Sequence, residues 1–265
     1  MSSKKSVPLV SMAVLCGALL SLAFVNPHNG QITLAELVLQ LSGSRGDLPL
    51  GTSLPELLSF SIKMAPYFLF ELYIGVYLYR HFCTASVYVF SRTIHRTRWY
   101  IKECLKICGA GILYQVTLLG TVIIVTHCRY DVVWQGLLVL ITHFVLYGLW
   151  LFAMVMLVNI LSILLGSENS FAIVLGGQVV FITLLALPKS NYLIQFVVLK
   201  INPMARLVLG WQSSGIDGLD VLGGGLRLQN SLSYIVFIVS LILIGGGILV
   251  KRHDFITVDA EFGGT

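Results

Sequence analysis

The run VVWQGLLVLITHFVLYGLWLFAMVMLVNILSIL, Val132 to Leu164, contains no Asp, Glu, Lys or Arg, and its few polar side chains, His143 and Asn159 among them, stand singly among apolar ones. A helix needs roughly 20 apolar residues to cross a bilayer, so this stretch reads as a membrane span. Working outward, comparable runs occur at about 8–25, 60–79, 107–126, 171–187 and 233–250. With 132–164 they make six spans.

Composition agrees. The chain has 57% hydrophobic and 11% charged residues, with a mean hydropathy of +0.89, too little polar material to cover a water-soluble surface of 265 residues. A β-barrel would alternate polar and apolar residues in short segments, so long unbroken runs indicate an all-α, polytopic membrane protein forming a single transmembrane domain over 1–265. The formal charge of +5 is what a positive-inside bias produces and does not argue for nucleic acid.

Orientation follows from Lys and Arg. Lys4, Lys5, Arg80, Arg92, Arg96, Arg98, Lys102, Lys106, Lys251 and Arg252 alternate onto one face, which is therefore cytoplasmic, with both termini on it. The opening KKSVPLVSMAVLCGALLSLAFV resembles a signal peptide in layout, yet its removal would leave an odd number of spans, so it is expected to remain as span one. Of the five cysteines, Cys16 lies in a span, Cys83, Cys104 and Cys108 on the reducing face, and Cys128 outside, which provides no disulfide framework.

Two outside regions have structure of their own. Thr33 to Glu36 (TLAE) and Ser53 to Glu56 (SLPE) have the capping-box form, so each is expected to start a helix. The first would turn Leu34, Leu37, Val38 and Leu41 to one side, as a helix in the outer interface does. In 188–232, two apolar stretches too short to span flank Asn202-Pro203, the pattern of re-entrant or interfacial helices before the last span; an ordinary partly buried loop is the alternative. No repeat relates the two halves of the chain.

No Gly-Lys dipeptide occurs, so there is no phosphate loop of the Walker type, and H-E-x-x-H, C-x-x-C and G-x-S-x-G are also missing. An enzyme is therefore not expected, nor a resident cofactor or metal. Glu71 is the one acid well inside a span, where a charge costs about 2.5–3.5 kcal/mol on insertion scales. It either contacts substrate or serves as a structural partner for His143, Gln115, Gln178 or Asn159. Around it Tyr67, Phe68, Phe70, Tyr73 and Tyr77 supply an aromatic density suited to lining a translocation path, or to plain packing. Tyr67, Glu71, Tyr73 and His143 are the candidate path residues.

The segment FSRTIHRTRWYIKECLK, Phe90 to Lys106, concentrates basic residues against Glu103 alone. At helical spacing Val87, Phe90, Ile94, Ile101, Leu105 and Cys108 form an apolar stripe, with Arg92, Arg96, Arg98, Lys102 and Lys106 largely off it. Three readings compete: a membrane anchor, a polybasic lipid-binding face and a docking helix.

This basic loop, 80–106, with Arg-x-x-x-Arg-x-Arg-Trp at Arg92, Arg96, Arg98 and Trp99, resembles the first cytoplasmic loop of ABC-type exporter permeases, in particular the small lantibiotic and peptide exporter permeases of Gram-positive bacteria. Six spans, inward termini and an Asn-Pro before span six fit the same layout. The resemblance implies that Phe90, Arg92, Ile94, His95, Arg96, Arg98 and Trp99 form a coupling helix seated in a separate ATPase subunit, which binds the ATP and Mg. It also implies a second permease chain, identical or homologous, in a bacterial cytoplasmic membrane. The expected function is then export of a peptide or hydrophobic small molecule. A membrane sensor or immunity protein that binds a peptide or partner without transport is the alternative.

Overall fold

The structure, a computed structural model, describes residues 3–27, 30–43, 54–81, 96–186, 200–213 and 226–252. Of these residues 85% are helical. The main elements are α1 (Ser3–Phe24), β1 (Gln31–Thr33), α2 (Leu34–Ser42), α3 (Leu54–Ile74), α4 (Arg96–Arg129), β2 (Asp131–Val133), α5 (Leu137–Leu165), α6 (Ser167–Thr183), β3 (Gln212–Ser213), β4 (Leu226–Arg227) and α7 (Leu228–Arg252). Among the described residues five segments are long and apolar enough to cross a membrane: Val7–Phe24, Pro55–His81, Arg96–Arg129, Leu137–Leu165 and Leu228–Lys251. The segment expected at 171–187 forms α6, shifted toward the N-terminus and 17 residues long. At 1.5 Å per residue that is about 25 Å, less than the roughly 30 Å of a hydrocarbon core.

α5 is the central helix, packed against α2, α3, α4, α6 and α7. It turns into α6 through Gly166 alone, whose φ of 79° favours glycine because a Cβ is crowded in the left-handed region. The single-residue joint makes α5 and α6 an antiparallel pair. α1 packs most extensively on α4. Ala13, Gly17 and Ser21, four residues apart, let the two backbones approach, and Ser21 Oγ lies 3.0 Å from Thr126 Oγ1 between them.

One end of the bundle carries a built cap. β1 pairs in parallel with β2, Gln31 opposite Asp131, and the Ala35 amide donates to the Gln135 carbonyl at 3.3 Å. Thr33 caps α2 as its sequence predicts, Oγ1 accepting from the Glu36 amide at 3.2 Å. α2 is not a surface helix with one free face, however: seven of its nine residues are buried. It descends beside α5, and its Ser42 carbonyl accepts from the Tyr147 hydroxyl at 3.3 Å. Ala35 and Leu39, off the expected stripe, are buried too, so α2 is covered by protein on more than the face its amphipathic pattern marks. Beside it the segment 202–212, irregular apart from the 3-10 turn Leu209–Trp211, is buried at every residue. Such backbone survives at depth only when its polar groups are paired. Asn202 does part of this, accepting from the Met204 amide at 2.9 Å and donating to the Phe181 carbonyl at 2.7 Å.

Candidate functional site

The described core contains a belt of polar side chains near the middle of the bundle. Tyr67 and Glu71 are one turn apart on the buried face of α3. His143, Tyr147 and Trp150 recur on one face of α5, and Gln178 comes from α6. Gln178 Nε2 donates to Glu71 Oε2 at 2.7 Å, and Trp150 Nε1 donates to Gln178 Oε1 at 3.3 Å. The result is a chain of donors pointing at one carboxyl. Among the described residues Glu71 Oε1 has no hydrogen-bond partner.

On the other side of the belt, the Tyr67 hydroxyl meets His143 Nε2 at 3.4 Å, a long contact, while His143 Nδ1 is unpartnered. The Tyr147 ring packs tilted against both, its centre 5.1 Å from that of Tyr67 and 4.0 Å from that of His143. Pro66, inside α3, offers its carbonyl to the Tyr114 hydroxyl of α4 at 2.8 Å. Neither amide atom of the buried Gln115 on α4 has a partner. The belt is thus tied to four helices and keeps several buried hydrogen-bonding atoms unused.

Of the four path residues expected from sequence, Tyr67, Glu71 and His143 belong to this belt. Tyr73 does not: two residues beyond Glu71 it points away, 43% exposed. Of the four partners considered for Glu71, the structure selects Gln178. Asn159 instead accepts from the Leu78 and Tyr79 amides at 2.8 and 3.1 Å, bridging the break in helix that follows Ile74. Tyr147, Trp150 and the Ser42 carbonyl were not singled out in the sequence, where they read as ordinary apolar packing and loop.

Beneath the belt, α4 begins with the basic stretch. Phe90, Arg92, Ile94 and His95 lie outside the described residues. Arg96, Arg98 and Trp99 form the first turn of the same 34-residue helix that crosses the bundle. Arg98 and Lys102 are exposed, Trp99 packs against the core, and Lys106 pairs with the buried Glu103 at 2.6 Å. Among the described residues no group of His, Cys, Asp or Glu is arranged to hold a metal.

Chemically, the belt supplies Glu71 Oε1, an acceptor when the carboxyl is ionised and a donor when it is protonated there, and His143 Nδ1 as a donor or acceptor according to its tautomer. No known protein family, no curated protein and no solved structure matches this chain.

Proposed function

We propose that the chain is the transmembrane permease subunit of an ATP-driven ABC exporter, moving a peptide or hydrophobic small molecule across a bacterial cytoplasmic membrane with a separate ATPase subunit. The observation that carries this reading is the continuity of α4. Its 34 residues extend about 51 Å, some 20 Å more than a bilayer core requires. The helix is a single rod with Arg96, Arg98 and Trp99 at one end and Tyr114 and Gln115 inside the belt. A push at the basic end moves the belt without an intervening hinge, which is what coupling ATP hydrolysis to a translocation path requires.

In this reading α6 is the sixth crossing, with its length completed by the 3-10 turn Leu184–Ala186, and 200–213 is the re-entrant segment before the last span. Both termini and the α4 N-terminus share the cytoplasmic face by the distribution of Lys and Arg. A homologous or identical permease chain completes the path, and Glu71 and His143 offer their unused atoms to substrate on the inward-facing side of each.

The experiment is affinity purification of the full chain from its native host, with identification of a Walker-containing partner. Changing Arg96, Arg98 and Trp99 together to Ala should release that partner and abolish ATP-dependent accumulation in inverted vesicles. Retention of the ATPase by the triple variant, or labelling of Arg98→Cys from outside the cell, would remove the basis of the proposal. The second reading, a peptide-binding sensor, is favoured by the closed packing of the belt, where Tyr67, Glu71 and His143 are at most 4% exposed. Saturable peptide binding by an ATPase-free preparation that drives no transport would establish it instead.

A further inference from the structure

An apolar cleft of about 270 Å³ runs between α5, α6 and α7, lined by Trp150, Ile173, Gly177, Phe181, Tyr234 and Ile238 among others. Ile173 and Ile201, both in its wall, are 52% and 62% exposed, so the cleft opens on the lipid-facing surface. Ordered water is not its natural content. A water needs two to four polar partners, and the polar atoms of Gln178 are already engaged by Glu71 and Trp150.

At the cap end of this cleft lies a buried cation. Arg206 is 8% exposed, Nη2 donates to the Lys200 carbonyl, and its guanidinium carbon sits 4.2 Å from the centre of the Tyr234 ring. The same Tyr234 lines the cleft and holds its mouth, its hydroxyl donating to the Ile201 carbonyl at 2.8 Å. Among the described residues Nε and Nη1 of Arg206 have no partner, which leaves one N–H at Nε and two at Nη1 unsatisfied. Burial holds the guanidinium below its ordinary pKa without discharging it. Nearby in the chain, Ser231, one turn before Tyr234 on α7, and Trp211, beside the β3–β4 pairing, each keep a buried polar atom without a partner.

A buried cation missing its counter-charge costs several kcal/mol, and a dry apolar slot loses packing on its inner walls. A free anion would satisfy the first and leave the second. A neutral hydrocarbon would do the reverse. We propose that the chain binds one anionic phospholipid, an acyl chain lying in the cleft between α5, α6 and α7 and the phosphate engaging Arg206 under the 200–213 segment. Because Nε and Nη1 are covered, seating the phosphate requires the turn at Lys200 and Ile201 to lift, a turn held to this site by the Tyr234 and Arg206 hydrogen bonds. This inference does not rest on the permease reading, since the cleft opens on an outer face of the bundle and shares only Trp150 and Gln178 with the belt.

Trp150 reports on the cleft from inside it. The full chain is reconstituted in zwitterionic phosphatidylcholine vesicles, phosphatidylglycerol or phosphatidylcholine brominated on the acyl chains is added, and the Trp150 signal is isolated by difference against Trp150→Phe. Saturable quenching at a lower fraction of the anionic lipid than of the zwitterionic one is expected. Arg206→Gln should weaken the anionic preference by about tenfold or more, the scale of a lost charge-assisted bond. Gly177→Leu fills the slot, since a Cβ there meets nothing within 4 Å, and should reduce quenching by both lipids even if Arg206→Gln does not fold. Excess inorganic phosphate should leave quenching intact. Equal quenching by the two lipids, an unchanged preference in a folded Arg206→Gln chain, or loss of the preference on adding phosphate would each overturn the assignment.

Discussion

Gln178 reaches across from α6 to donate its amide to the Glu71 carboxyl of α3 at 2.7 Å, 107 residues away in sequence. The bond is the polar connection between these two helices in the belt, and Trp150 fixes the rotation of the amide by occupying its oxygen. Replacing Gln178 with Leu keeps the volume and strands both carboxyl oxygens, so it should cost about 1–3 kcal/mol. Glu71→Gln keeps a hydrogen-bonding oxygen for Gln178 and removes the need to bury a carboxyl, so it should change stability by less than about 1 kcal/mol. Thermal unfolding in detergent micelles measures both. If Glu71→Gln proves the more damaging of the two, the carboxyl has a role beyond this bond.

Asn159 closes the break after α3. One carboxamide oxygen accepts two successive amides, Leu78 and Tyr79, while Nδ2 donates to the Val155 carbonyl at 2.8 Å. Asn159→Leu should take this acceptor from the buried Leu78 amide and cost about 1–3 kcal/mol. Asn159→Asp keeps the acceptor and should cost less. Hydrogen exchange over 77–81 distinguishes them: it should rise several-fold in the Leu variant and least in the Asp variant. Equal exchange in both would mean that the turn is held by packing.

Gly17 and Gly120 provide a matched pair of glycines in α1 and α4. A Cβ on Gly17 would stand 2.6 Å from the Leu118 carbonyl oxygen, a backbone atom that cannot step aside. A Cβ on Gly120 meets nothing within 4 Å. Gly17→Ala should therefore push α1 off α4 and destabilise by about 1–3 kcal/mol, while Gly120→Ala should stabilise by about 0.5–1 kcal/mol through helix propensity. Unfolding midpoints of the two single variants, moving in opposite directions, check the packing; a shift of the same sign would show that the α1–α4 interface is looser than described.

How much of this was legible beforehand depends on which physics decides each feature. The apolar runs at 8–25 and 132–164 needed only composition, and Thr33 needed only the local geometry of an N-cap. Tyr73 was assignable too: two residues from Glu71 is about 200° around a helix, which points it outward. Choosing Gln178 over His143, Gln115 or Asn159 was not possible, because each is a lone polar residue in an apolar run and the selection depends on helix register across the bundle. The same holds for α2. Its stripe of Leu34, Leu37, Val38 and Leu41 suits a membrane surface and a protein interior equally, and the burial of Ala35 and Leu39 becomes apparent only once α5 and 202–212 stand beside it. Arg206 gave no signal at all, since a lone arginine outside the spans, in 188–232, reads as solvated.

The depth of α2 can be measured. Tyr147 lies ten residues into α5 from Leu137, about 15 Å along the axis, and the nine-residue α2 covers about 14 Å. With its start fastened at Gln135 and its end at Tyr147, α2 must run alongside α5 into the bundle. In a chain whose five native cysteines are replaced, Gln31→Cys, exposed at the rim, should react rapidly with a membrane-impermeant maleimide, and Ser42→Cys, fully buried, should be protected. Tyr147→Phe removes the hydroxyl that holds the Ser42 carbonyl, a loss of about 0.5–1.5 kcal/mol. That should raise labelling at position 42 several-fold through local opening while leaving position 31 unchanged. Equal labelling at 31 and 42 in the parent chain would mean that α2 lies flat on the bundle, and the Tyr147 bond would then have to be abandoned along with the descent it supports.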